Sequence, residues 1–148
     1  MPDMYFDDFV LGQRFESRSM TVSEASILEF AERYDPQPFH LDVEYAKRTH
    51  FGGLIASGFQ TLAVSFALFL RLGLLELANL GSPGMEEVKW LKPLRPGDTI
   101  RQIAEVIALT PSRSKPDRGV VRMRHDTLNQ KDEIIMTAIC LHMLKRRG

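Results

Sequence analysis

The chain has 148 residues, enough for one domain with a real core and too few for two ordinary ones. Its 19 Lys and Arg balance 19 Asp and Glu, so no net field draws in nucleic acid or an anionic membrane, and no basic arm or acidic tail serves as a binding device. The one cysteine, Cys140, cannot close an internal disulfide, and MPDMYFDDF at the N-terminus lacks a charged-then-apolar signal; a single unit over residues 1–148 in a reducing cytoplasm is expected.

In chain order, Arg14 to Met20 is expected as a short strand. Thr21 followed by Glu24 forms a capping-box pair, and Ile27, Leu28, Ala31 and Tyr34 recur at helical spacing, which predicts a helix over residues 22–34. The prolines come next. Pro36 and Pro38 fix their own φ and push Asp35 and Gln37 out of the helical region, so the segment Tyr34 to Asp42 is expected to run extended, with Asp35 and His40 on a rigid ribbon. A carboxylate beside an imidazole is what general acid–base work on a water requires, because histidine titrates near neutrality and the acid orients the ring or shares the water. Such residues in loops also cap, turn or face solvent, so the pair alone leaves both readings open.

Asp42 is expected to cap one or two helical turns reaching Arg48. A glycine-rich loop, Phe51 to Gly58, then leads into an apolar helix over residues 58–78. The stretch Leu62 to Leu80 approaches membrane-spanning length, but it contains Arg71 and Glu76, and an arginine at a helix centre costs roughly 2.5 to 3.5 kcal/mol on insertion scales. A buried helix is expected instead. The second half changes period: residues 86–94, 99–109, 119–128 and 134–145 are strand-like runs separated by turns at Arg95-Pro96-Gly97-Asp98, Pro111 to Asp117 and Asn129 to Asp132. In the third run Val121, Met123 and His125 alternate with Arg122, Arg124 and Asp126, and the last run is apolar on both faces.

One long apolar helix followed by four antiparallel strands, with an early strand to complete the sheet, predicts an α+β fold. An antiparallel sheet wrapped around a long central helix resembles a hotdog fold. Its exposed edges make a homodimer or higher homo-oligomer the expected assembly.

Two motifs now read together. Asp35, Pro38, His40 and Asp42, within Tyr34 to Ala46, resemble the signature Asp-x-Asn-Pro-x-His of the MaoC-like dehydratases, relatives of the (R)-specific enoyl-CoA hydratases. Gly53-Leu54-Ile55-Ala56-Ser57-Gly58 is similar to that family's Ile-Ala-His-Gly entry into the hotdog helix, and Trp90 to Asp98 to its following strand and turn. The resemblance implies reversible hydration of an enoyl thioester, or dehydration of a 3-hydroxyacyl thioester. It places Asp35 and His40 around a water and the Gly58 amide at the thioester oxygen, and implies no cofactor beyond coenzyme A as part of the substrate.

Three positions depart from the family pattern: Gln37 stands for asparagine, Ser57 for histidine and Phe66 for a serine. Gln37 keeps an amide, Ser57 is suited to capping the helix, and Phe66 is expected to narrow the acyl pocket. Gly53 is expected near the thioester. The loop bearing Arg113, Lys115 and Arg118 either grips coenzyme A phosphates or is a solvated hairpin tip. His125 and His142 are expected as satisfied sheet residues and Cys140 as a small core residue; no metal-ligand spacing shows among the four histidines and the cysteine. The competing readings are a hotdog thioesterase and a non-catalytic acyl-binding protein.

Overall fold

The computed structural model describes residues 3–148. A helix–loop half precedes a sheet half. Strands β1 (Arg14–Glu16) and β2 (Met20–Thr21) lead into helix α1 (Glu24–Tyr34), the short helices α2 (Pro38–Leu41) and α3 (Val43–Lys47), and the central helix α4 (Gly58–Leu70). Strands β3 (Met85–Trp90), β4 (Thr99–Pro111), β5 (Arg118–Leu128) and β6 (Ile134–Lys145) follow. The sheet runs β1-β4-β5-β6-β3, every pairing antiparallel, and β2 also pairs with β4.

Alternation does what the sequence demands. Along β5 the side chains of Val121, Met123 and His125 turn inward, and along β6 those of Ala138, Cys140, His142 and Leu144 do the same. Phe69 near the end of α4 packs with Val106, Val121, Met123 and Leu144 of the sheet. A second apolar cluster, including Ile27, Ala46, Leu54, Ala56 and Leu94, ties the helical half to the start of the sheet. That cluster fixes the loops on which the site is built.

Several boundaries differ from expectation. Thr21 does not cap α1; it lies in β2 with its hydroxyl 2.7 Å from Thr99 Oγ1, and Ser23 is the cap, accepting the Ser26 N–H at 3.1 Å. Tertiary strand pairing outweighed the local capping pattern. The central helix stops at Leu70, eight residues early, because Gly73 takes a left-handed φ of +74° and the next segment folds into turns. The expected ribbon is instead turned: Asp35 has ψ 70°, the Gln37 N–H returns to the Asp35 carbonyl at 2.8 Å, and Gln37 itself is extended. Pro38 opens a helical turn, where a missing N–H costs nothing. The run from 86 to 94 leaves the sheet after Trp90.

Candidate active site

Asp35 is the C-cap of α1, with φ −153° and ψ 70°, so the chain turns sharply out of the helix there. His40 lies on α2, and the four residues between them bring the imidazole back towards the carboxylate. His40 Nε2 is 3.5 Å from Asp35 Oδ2. The other ring nitrogen, Nδ1, lies 2.7 Å from the Ile55 carbonyl oxygen. A carbonyl only accepts, so Nδ1 carries the proton and Nε2 presents its lone pair towards Asp35. Two acceptors therefore face one another at a spacing that suits one water donating to both.

Asp35 is held from both sides. Gln37 Nε2 donates to Oδ1 and Ser57 Oγ donates to Oδ2, each at 2.6 Å. Burial pushes the carboxyl up, but the Ser57 and Gln37 hydrogen bonds, helped by His40 whenever that ring is protonated, outweigh it, so Asp35 sits below the ordinary carboxylate value. It is an anion at neutral pH. Ser57 also caps α4, its hydroxyl oxygen accepting the Phe59 N–H at 3.2 Å. One side chain thereby locks the carboxylate to the start of the central helix.

Gly58 is the first residue of α4. First-turn amides have no intrahelical acceptor, and among the described residues none takes the Gly58 N–H. The positive end of the helix dipole lies behind it. Its carbonyl accepts the Trp90 indole N–H at 2.9 Å. The indole packs so closely that a Cβ on Gly58 would stand 2.5 Å from Trp90 Cε2, a distance no side chain tolerates. Asp35, Gln37, His40 and Gly58 all line one cavity of about 460 Å³, walled by Phe51, Ile55, Phe59 and the Trp90 to Leu94 segment.

The other sequence candidates lie elsewhere. Gly53 does not line the cavity; its backbone packs beside Arg95, and a Cβ there would be 3.6 Å from Nη1. Phe66 is not at the pair either. Its ring stacks on His125, with centroids 5.6 Å apart, on the sheet side of α4. Arg113, Lys115 and Arg118 belong to the β4–β5 hairpin, at the end of β4 remote from the cavity. Thirteen residues at ~3.3 Å each separate the two ends by roughly 40 Å, and Arg118 is paired with Asp117 at 2.9 Å. Within one protomer these cations do not reach the site.

Two features were missed in the sequence. Trp90, at the end of an edge strand, gave no signal of its place over Gly58. His125, Cys140 and His142 show no ligand spacing along the chain, yet their ligand atoms lie within 4.8 Å of one another. Residues two apart on a strand share a face, and β5 brings His125 beside them. The two imidazoles are joined Nε2 to Nε2 at 2.9 Å, His125 Nδ1 is 2.7 Å from Gln102 Oε1, and Gln102 Nε2 donates to Ser65 Oγ at 3.1 Å. Because the Gln102 oxygen must accept, His125 carries its proton on Nδ1 and receives the His142 Nε2–H. The cluster is a satisfied buried network, as expected of the two histidines.

Comparison with known proteins defines the class. The family described as MaoC like domain matches residues 8–129, and the chain belongs to this family. Its architecture is the hotdog fold. A MaoC-like dehydratase of Rhodospirillum rubrum has the same structure with a TM-score of 0.91 and 39% identity, covering 98% of this chain and 99% of that one. An uncharacterized protein of Bacillus subtilis, YdeM, is 35% identical over 143 residues, 97% of this chain and 100% of its own. The (R)-specific enoyl-CoA hydratase of R. rubrum is 32% identical over 114 residues, 74% of each chain.

Proposed function

We propose that this protein is a hydro-lyase that hydrates an enoyl thioester and dehydrates the corresponding 3-hydroxyacyl thioester. The observation that carries the reading is the convergence of the Asp35 carboxylate, the basic Nε2 of His40 and the free Gly58 amide on one cavity. The name of the R. rubrum hydratase supports the same chemistry. A water held by Asp35 Oδ2 and His40 Nε2 directs its oxygen at C3. As the C–O bond forms, Nε2 takes a water proton, electrons move onto the thioester oxygen, and the Gly58 N–H stabilises that enolate. The imidazolium then returns a proton to C2 as the carbonyl re-forms. Water has been added and the pair is restored.

No helix among the described residues is long and apolar enough to cross a membrane. The proposal treats residues 1–148 as one catalytic unit in the cytoplasm, serving fatty acyl metabolism without a cofactor of its own. It includes a homodimer: β3 ends the sheet, and Phe59, Trp90 and Leu91 leave an exposed apolar rim beside the cavity. The test follows conjugation and free thiol together over a panel of enoyl-CoA thioesters. Loss of conjugation without thiol release is expected. Thiol release with conjugation intact would make the protein a thioesterase, and no change in either would leave an acyl-binding protein.

Two variants probe the supports. In Gly58→Ala the new methyl must displace the indole and break its bond to the Gly58 carbonyl, so kcat/KM is expected to fall by about tenfold or more. Adding Trp90→Ala relieves that clash, so the double variant should recover part of the loss; a strictly additive pair would break the link. In Ser57→Ala, Asp35 loses a hydrogen bond that holds its carboxyl down. The active form needs the ionised acid, so activity is lost as pH falls through its pKa. The acid limb of the pH–kcat/KM profile should therefore move to higher pH, accompanied by a destabilisation of about 1 kcal/mol from the lost helix cap.

A further inference from the structure

Within one protomer the hairpin cations do not approach the cavity, and the cations that border it lie elsewhere. Immediately beside the cavity, sharing Lys92 and Pro93 as its wall, lies a second depression of about 220 Å³. Its rim is built from the Arg95 to Asp98 turn and the Asn129 to Glu133 turn. These are the two turns at the near end of the sheet.

The charges there are arranged unequally. The two carboxylates are already occupied: Asp98 accepts the Arg95 backbone N–H at 2.8 Å and Gln130 Nε2 at 2.9 Å, while Glu133 accepts Asn129 Nδ2 at 2.9 Å and pairs with Lys92. Two cations are left over. The Arg95 guanidinium spends Nη2 on the Phe51 carbonyl at 2.6 Å, but neither it nor the Lys131 ammonium meets a carboxylate within 4.0 Å among the described residues. The bond from Nη2 to a backbone oxygen holds the guanidinium at the rim of the depression, which Arg95 lines. A guanidinium held in place beside a mobile ammonium suits a phosphate, which takes a forked donor and a point charge together.

We propose that Arg95 and Lys131, with Lys92 on the shared wall, bind a phosphate of the pantetheine-bearing carrier, so that the carrier arm runs from this depression along Pro93 and Leu94 to the thioester beside Asp35 and His40. This rests on the thioester reading above. Both coenzyme A and an acyl carrier protein present a phosphate next to pantetheine, and the nucleotide of coenzyme A presents more.

The test compares crotonyl-CoA, crotonyl-phosphopantetheine and crotonyl-pantetheine in the parent, Lys131→Glu and Arg95→Gln proteins, with melting temperatures recorded to confirm folding. The ratio of KM for crotonyl-CoA to KM for crotonyl-pantetheine is expected to rise about tenfold in Lys131→Glu and to shrink in its response as salt is added. If crotonyl-phosphopantetheine follows crotonyl-CoA, the phosphate is the one common to both carriers; if it follows crotonyl-pantetheine, the nucleotide phosphates are held. Both outcomes uphold the subsite. A ratio that does not move, or KM values that rise together for all three substrates, would overturn it. Should no thioester turn over, calorimetric binding of coenzyme A still decides: binding weakened about tenfold by Lys131→Glu at low salt upholds the anchor while the hydratase reading fails, and unweakened or absent binding sinks the anchor.

Discussion

An Asp35→Asn protein is expected to hydrate an enoyl thioester about 10² to 10⁴ times more slowly than the parent, with its melting temperature nearly unchanged. The carboxylate now accepts from Gln37 on one oxygen and from Ser57 on the other. An amide of the same shape keeps one acceptor, but its NH₂ must face either a donor or the shared water, which then points a lone pair rather than a proton at it. The water loses its orientation while the loop keeps its packing. His40→Ala removes the proton acceptor itself and should fall in the same range. Because both groups act on one water, the double variant should be scarcely slower than the worse single one. The measurement is kcat/KM at fixed pH for the three proteins, and parent-like rates in either single variant would remove the pair from the mechanism.

The second large effect concerns stability in acid. Burial lowers the His125 and His142 imidazoles from 6.5 to about 3 and about 4 respectively, with the neighbouring His142 adding to the shift at His125. Gln102, Ser65, Thr127, Phe66 and Phe69 surround the pair and bring no charge to offset protonation. Unfolded, both rings take up protons as pH falls through about 6.5; folded, they do so only near 3 to 4. Between those limits the unfolded chain binds more protons, so stability decreases as pH falls, by about 1.4 kcal/mol per pH unit for each histidine. Urea midpoints between pH 7 and pH 5 should therefore drop steeply, before most carboxylates titrate. A His125→Asn, His142→Gln protein should show a flatter dependence over the same window. If its slope matches the parent's, the buried pair is not the origin.

The fold was legible because its signals are periodic and long. Four runs of strand-like residues, inward and outward positions in β5, and an apolar helix opened by Gly58 survive any local misreading. What failed were choices between nearby local options. Thr21 and Ser23 both qualify as caps, and only the pairing of Thr21 with Thr99 decides between them. Of the site, Asp35 and His40 were visible through the prolines between them. The loop bearing Ser57 and Gly58 was visible through its likeness to the family. Phe66 stacks on His125 and not in the acyl pocket, and its helix position does not say which neighbour its side chain meets. The hairpin cations stand out by charge density alone, which carries no information about the roughly 40 Å of strand separating them from the cavity.

Trp90 is the chain's one tryptophan, and its indole N–H is tied to the carbonyl of the residue whose amide faces the cavity. Excited at wavelengths that the three tyrosines do not absorb, the protein accordingly emits from a single fluorophore seated on the wall of the site. Any acyl thioester that enters changes the polarity around that indole, so occupancy of the cavity can be followed optically in the unmodified protein, whether or not turnover takes place.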